Sequence, residues 1–158
     1  MRSWLALSAG VIALDQLTKY AVSNAMAYGT SIAVAPFFNL VHVHNRGAAF
    51  SFLGDASGWQ RYFFTGIALL ASVWIVWLLR RHPAQKLFCL ALSLILGGAL
   101  GNVIDRVLVG AVVDFLDFHA AGWHWPAFNV ADSGISVGVV MLVWVMLRES
   151  GTPSNHEA

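Results

Sequence analysis

Three stretches of this chain are apolar, nearly uninterrupted and long, and they decide most of what it can become. Tyr62–Leu79 and Leu87–Ile104 contain no charged residue, and Val130–Leu147 contains only Asp132, near its start. The hydrocarbon core of a bilayer is about 30 Å thick and takes about 20 helical residues to cross. Inside it, backbone polar groups must be satisfied within the segment itself, which a helix achieves. A fourth stretch, Ser3–Asn24, is apolar apart from Asp15 and Lys19. We therefore read four transmembrane helices, at about 3–24, 62–79, 87–104 and 130–147. They form a single integral membrane domain, with longer connections at about 25–61 and 105–129. Composition agrees, since the 158 residues are 58% hydrophobic and only 11% charged, well below the charge of a soluble domain. The first stretch is not read as a cleaved signal peptide: Arg2 is its whole basic start, and Asp15 and Lys19 interrupt it where a cleavable apolar core would continue.

The formal net charge of +1 offers nothing to nucleic acid, and no basic cluster is large enough to bind it. The lone cysteine, Cys89, lies within an apolar run, which excludes disulfides and cysteine-based metal centres and reads as packing. Orientation follows lysine and arginine. The short turn "RRHPAQK" (Arg80–Lys86) holds three of the nine, so it is assigned to the cytoplasm. Arg2 and Arg148 then share that side, while Lys19, Arg46, Arg61 and Arg106 face outward. Both termini are then cytoplasmic, and the two longer connections are external.

Local signals mark the helix ends. "SGWQ" (Ser57–Gln60) fits a capping box before the second helix. Pro83 suits the first turn of the third, and Asn129 sits where an N-cap would precede the fourth. The polar tail from about 149 to 158 reads as disordered. The outer segment "TSIAVAPFFNLVHVHNRGAAFSFL" (Thr30–Leu53) is rich in β-branched and aromatic residues, with turn signals at Pro36 and Asn45–Gly47, and reads as short strands with a hairpin. "GAVVDFLDF" (Gly110–Phe118) is similar. Both are too apolar to float free in water, and a small sheet lying on the membrane surface over the helix ends fits them.

With this topology the polar residues of the spans collect at one level. Asp15 and Lys19 lie in the outer half of the first helix, Asn102, Asp105 and Arg106 end the third, and Asn129 and Asp132 open the fourth. Ionisable groups at membrane depth are costly and mark functional sites by default. Each alone has a plainer reading. Asp15 and Lys19 form an i,i+4 pair, Asn129 and Asp132 suit a helix start, Asp105–Arg106 can be an interfacial pair with a snorkelling arginine, and "NRG" (Asn45–Gly47) can be a turn. Those readings leave two carboxylates near apolar residues without a basic partner in sequence: Asp132 and one from the outer strand. Two neighbouring aspartates share a proton, so that one activates water while the other polarises a carbonyl. Asp114 and Asp117, three apart on a strand, face opposite sides, so only one can join Asp132, and the pattern does not choose between them. A Ser133–Lys19 dyad lacks a nucleophile-elbow pattern. A zinc site built from His42, His44, His119 and His124 lacks HExxH. No metal or other cofactor is expected.

Five motifs occur in order around the four spans: "DQLTK" (Asp15–Lys19), "NRGAAF" (Asn45–Phe50), "GGALGNVIDR" (Gly97–Arg106), "VVDF" (Val112–Phe115) and "FNVADS" (Phe128–Ser133). As an ordered set they closely resemble the bacterial lipoprotein signal peptidase family, also called signal peptidase II, over all but the tail. The resemblance implies an all-α membrane protein of four transmembrane helices with a small extracytoplasmic β-sheet cradle. It implies an aspartic peptidase of the bacterial inner membrane that removes signal peptides from prolipoproteins, cutting just before a diacylglyceryl-modified cysteine. By the same resemblance Asp114 and Asp132 are the catalytic pair. We expect Asn45, Gly47, Asn102, Arg106 and Asn129 to bind substrate or support the site. Asp15, Lys19 and Asp105 are expected to brace it, with Asp105 orienting Arg106. Gly97 and Gly101 have the small-xxx-small spacing that permits close helix approach or room for a lipid chain. The implied partners are prolipoproteins and membrane lipid, and the chain is expected to act as a monomer. The rival reading, a proton-conducting protein relaying through Asp15, Asp105 and Asp132, needs ionisable groups through the whole membrane depth, and the inner halves of the last three helices have none.

Overall fold

The structure is a computed structural model and describes residues 1–47 and 58–150. Four long helices, α1 (Arg2–Ala25), α2 (Trp59–Arg81), α3 (Lys86–Leu108) and α4 (Val130–Ser150), carry a small sheet of β1 (Ser31–Ala35), β2 (Phe38–Asn45), β3 (Val112–Ala120) and β4 (Trp123–His124). Among the described residues α2, α3 and α4 are long and apolar enough to cross a membrane. Their outward faces carry exposed Leu70, Val73, Val140 and Leu147, a surface that water does not tolerate over such an area.

α3 is the central helix and packs against the other three. Glycines allow this. A Cβ on Gly97 would stand 2.8 Å from the Ser8 carbonyl oxygen of α1, and one on Gly98 would collide with the Ala131 carbonyl oxygen of α4. Gly138 presses on the Ala91 carbonyl of α3 in the same way. Of the two uses expected for the glycine spacing, close helix approach is the one seen. Cys89 is buried with Ile75, Leu79, Leu92 and Leu96 between α2 and α3.

Several boundaries differ from the sequence expectation. α3 runs to Leu108 rather than ending near 104, so Asp105 and Arg106 belong to the helix and not to the connection. Both are buried and bonded by partners from outside the helix, Asp105 by Lys19 and Arg106 by the Gly47 carbonyl, so their charge does not end the helix. Arg61 of α2 donates to the Val107 carbonyl at 3.0 Å and so serves the open C-terminal end of α3. α2 begins at Trp59 behind Gly58, whose left-handed backbone makes no side-chain cap. That displaces the expected Ser57–Gln60 box, and Ser57 itself lies outside the described residues. Pro83 sits in the turn between α2 and α3, because α3 starts only at Lys86. α4 continues through Ser150, so the expected tail is shortened, and 151–158 lie outside the described residues. Arg80 and Arg81 extend α2 into its last turn, where cations suit the helix dipole.

The sheet is antiparallel in the order β1-β2-β3-β4. Pro36 and Phe37 turn the first hairpin, and Ala121 and Gly122, with φ of 49° and 81°, turn the last. Between the Leu40–Leu116 and Val43–Asp114 pairs β2 has one more residue than β3, a bulge. It leaves consecutive residues Val41 and His42 both buried, where simple alternation would expose one. The sheet packs on α1 through Phe115, Val22 and Met26.

Candidate active site

Backbone pairing brings the two halves of the site together. Phe128 exchanges hydrogen bonds with Leu116 and accepts one from Phe115 N–H. That clamp sets Asn129, one residue past Phe128, beside Asp114, one residue before Phe115. Asn129 then caps α4 as its position predicts: its Oδ1 accepts the Asp132 backbone N–H at 2.9 Å. With its oxygen committed, the amide nitrogen faces Asp114 Oδ1 at 2.7 Å and the Val113 carbonyl at 3.2 Å. Asn45, at the end of β2, also hydrogen-bonds Asp114. Its Oδ1 accepts the Gly47 N–H at 2.9 Å, the turn that "NRG" predicts.

Asp132 is held by a parallel device. Asn102 Nδ2 donates to Asp132 Oδ1 at 2.8 Å. Its Oδ1 accepts from Lys19 Nζ at 3.0 Å and from Asn129 at 3.3 Å. Each aspartate therefore offers one oxygen to an amide whose orientation a neighbour dictates.

Beneath this pair lies a buried ionic cluster. Lys19, 3% exposed, is 2.8 Å from Asp15 Oδ2 and 2.8 Å from Asp105 Oδ2. Removing charges from water is expensive, and only full pairing makes it tolerable. Here the other carboxylate oxygens are also used. Asp15 Oδ1 accepts the Ala131 N–H of α4 at 2.9 Å, Asp105 Oδ1 accepts from Gln16 Nε2 at 2.9 Å, and Asp105 Oδ2 takes the Val113 N–H at 3.0 Å besides Lys19. The cluster ties α1, α3, β3 and α4 at one point. Gly101 is required there, because a Cβ would stand 2.7 Å from Asp15 Oδ2.

Asp105 does not orient Arg106 as expected, since its oxygens are spent on Lys19, Val113 and Gln16. Arg106 instead donates to the Gly47 carbonyl at 3.1 Å and lies over Phe64 at 5.7 Å. It is buried rather than snorkelling. Gln16 is the member that sequence reading missed. Its amide nitrogen reaches Asp105 Oδ1 at 2.9 Å and the Gly101 carbonyl at 3.2 Å. Its place directly after Asp15 in "DQLTK" was the only signal.

Burial, and after it the nearby Asp132 charge, push the Asp114 carboxyl up to about 7. Asp117 is in another setting. Burial works to raise it, but hydrogen bonds from Asn39, at 2.8 Å, and from His124 outweigh this and hold it below its ordinary range. The structure thus brings Asp114, and not Asp117, to Asn129 and Asp132. The alternatives fare poorly. Ser133 Oγ donates to the Asn129 carbonyl at 2.9 Å, while Lys19 is engaged by Asp15, Asp105 and Asn102, so no Ser–Lys dyad forms. His42 spends Nδ1 on the Met26 carbonyl, and His119 stacks on His124. Among the described residues no group of three His, Cys, Asp or Glu could hold a metal.

Asp132 lines two cavities. One, of about 310 Å³, lies between α4 and the sheet and is walled by Asn45, Trp125, Phe128 and Val137. The other, of about 220 Å³, lies among α2, α3 and α4 and is walled by Phe64, Ile67, Arg106 and Ile135. Both are largely apolar, and such a cleft with a few convergent polar groups is the usual form of a small-ligand or peptide site.

The chain is similar to known proteins in sequence and in fold. The family model for signal peptidase (SPase) II matches residues 7–148. The lipoprotein signal peptidase of Ralstonia nicotianae is 63% identical over 92% of this chain and 84% of its own length. That of Paraburkholderia phymatum is 61% identical over 92% and 87%, and that of Janthinobacterium sp. (strain Marseille) 56% over 96% and 92%. A solved bacterial membrane enzyme superposes with a TM-score of 0.88 at 32% identity, covering 100% of this chain and 95% of its own. A second gives 0.81 at 34% identity, covering 94% of each.

Proposed function

The chain belongs to the signal peptidase II family and is a membrane endopeptidase of lipoprotein signal peptides; from that premise we propose that Asp114 and Asp132 are its catalytic dyad and that it acts at the outer face of the bacterial inner membrane. The observation that carries the mechanism is the pairing of these two carboxylates, from a strand and a helix start, each held through one oxygen by an oriented asparagine.

One carboxylate takes a proton from bound water while the other, protonated, polarises the scissile carbonyl. No cofactor is needed. Asn45, Gly47, Asn102, Arg106 and Asn129 support the dyad and line the path of the peptide backbone. Asp15, Lys19 and Asp105 fix the elements that carry them. α1 serves as the fourth transmembrane helix, since its only internal charges are neutralised in the cluster. Both termini then lie in the cytoplasm and the sheet lies outside. The chain is one domain and works as a monomer. The substrate is a prolipoprotein with a diacylglyceryl cysteine, cut just before that residue. Its acyl chains remain largely in the bilayer, and the apolar cavities beside Asp132 receive the segments around the scissile bond.

The test uses purified protein in lipid with a diacylglyceryl-modified prolipoprotein peptide and its unlipidated counterpart, products being read by mass spectrometry with and without a chelator. The expected product carries a new N-terminal amine on the lipidated cysteine, and the chelator has no effect. Equal cleavage of the unlipidated peptide contradicts the substrate assignment, and loss of cleavage with chelator contradicts the metal-free mechanism.

A further inference from the structure

The two aspartates are held by similar amides, but the chains of hydrogen bonds behind those amides differ. We propose that Lys19 is a positioning residue for the reaction: acting through Asn102, it keeps Asp132 the ionised member of the pair, so that Asp132 is the base toward water and Asp114 the proton donor to the scissile carbonyl. The inference rests on reading Asp114 and Asp132 as the dyad, and it assigns their unequal roles.

Lys19 touches neither aspartate. Its Nζ lies 3.0 Å from Asn102 Oδ1, and this bond obliges Asn102 to turn its Nδ2 toward Asp132, at 2.8 Å. A donor polarised by a cation strengthens its bond to an anion. Asp132 also sits in the first turn of α4, where the open N–H groups favour negative charge. Lys19 also acts on Asp114 through space, but its hydrogen bond goes to Asn102, which holds Asp132, and not to Asn129, which holds Asp114. The donors to Asp114 are the neutral amides of Asn129 and Asn45, and Asn129 leans in turn on the backbone N–H of Asp132. Asp114 belongs to a strand, which offers no comparable dipole.

The other charged groups facing Asp132 are Asp15 and Lys19 from α1, Asp105 and Arg106 from α3, and Asp114 from β3. Lys19 acts on Asp132 both through space, where Asp15 opposes it, and along the Asn102 bond.

The steps balance. Water loses a proton to Asp132 as its oxygen bonds to the carbonyl carbon, and the Asp114 proton passes to the carbonyl oxygen. The resulting gem-diol collapses as Asp132 returns its proton to the leaving nitrogen. The C–N bond breaks, one hydroxyl proton goes to Asp114, and the starting charges are restored.

Removal of Lys19 alone strands two buried carboxylates, so the informative variant is Lys19→Gln/Asp105→Asn, which removes one charge of each sign. With the diacylglyceryl-modified peptide we expect KM within about twofold of wild type, and an acid limb of kcat/KM displaced to higher pH by about one pH unit, as expected when one favourable neighbour is lost. Activity on that limb then falls about tenfold. An acid limb that superimposes on the wild-type one, with activity lowered equally at all pH values, overturns the proposal and leaves Lys19 a structural residue. Infrared difference spectra of the single dyad variants provide a second test that does not depend on the double variant folding. At pH 6 the band of a protonated carboxyl should vanish in Asp114→Asn and persist in Asp132→Asn. The reverse pattern overturns the assignment. Cleavage retained in both Asp114→Asn and Asp132→Asn rejects the dyad itself, an outcome distinct from either.

Discussion

At the scale of single residues, the site is built by committing one end of each polar side chain so that the other end has only one place to go. Asn129 gives its oxygen to the α4 backbone and so must offer its nitrogen to Asp114. Asn102 gives its oxygen to Lys19 and so must offer its nitrogen to Asp132. The consequence for Asp114 is measurable. Its carboxyl is raised from 3.8 to about 7 in the folded protein, first by burial and then by Asp132. Between those values the folded chain keeps a proton that the unfolded chain has released. The stability contributed by the neutral form is thus complete below about pH 4 and is lost as pH rises through about 7. Asp114→Asn should therefore match wild type in thermal unfolding near pH 4 and be more stable near pH 8. A parallel decline of both proteins from pH 5 to pH 8 would show that Asp114 ionises without cost. Asp132, Asn102 and Asn129 could be picked from the sequence, because polar residues at the ends of apolar runs are conspicuous, whereas Asp114 is told from Asp117 only by the family resemblance. Gln16 could not be picked, since an uncharged side chain on a helix that already bears Asp15 and Lys19 adds no contrast.

At the scale of elements, small residues set how closely the helices approach, and that approach sets where the carboxylates stand. Gly98 meets the Ala131 carbonyl directly, one residue before Asp132. Gly98→Ala sets a methyl against backbone that cannot rotate away, so α4 must move. We expect a loss of stability of about 1–3 kcal/mol, the usual cost of overpacking, and a fall in kcat larger than any change in KM. Denaturant or thermal unfolding in detergent, combined with kinetics, checks both. Wild-type kcat in this variant would mean that α4 adapts without moving Asp132. Helix existence was legible in the charge-free runs, but their ends were not. Charge in the sequence reads as the end of α3, yet Asp105 and Arg106 remain helical because Lys19, Val113, Gln16, Gly47 and Phe64 receive them. Those partners lie far away in sequence. The bulge in β2 was equally hidden, since one extra residue in a strand leaves no compositional trace.

At the scale of the whole molecule, a lengthwise asymmetry dominates. The buried ions gather where α1, α3, α4 and the sheet meet, and the opposite half of the bundle buries uncharged residues, Cys89, Ser8 and Ser93 among them. That asymmetry is what a membrane enzyme needs if its scissile bond lies at one interface. It predicts a topology. In a Cys89→Ser background, a cysteine at Ala121 should react with an impermeant maleimide added to spheroplasts, and one at Ala84 only after the membrane is opened. The opposite pattern would invert the protein and put the sheet in the cytoplasm. The fold class was legible because apolar length is a one-dimensional property. The pairing of Asp114 with Asp132 required the Phe128–Leu116 clamp, which is not. The family resemblance supplied the choice between Asp114 and Asp117 that strand alternation left open. The most direct measurement of the central claim is cleavage of a diacylglyceryl-modified prolipoprotein peptide by wild type, Asp114→Asn, Asp132→Asn and Asp117→Asn, each shown to be folded and to bind substrate. The first two variants are expected to lose at least about a hundredfold in kcat, the lower range for removing a general acid or base, while Asp117→Asn stays within a few-fold of wild type. Near-normal cleavage by either Asp114→Asn or Asp132→Asn contradicts the central claim.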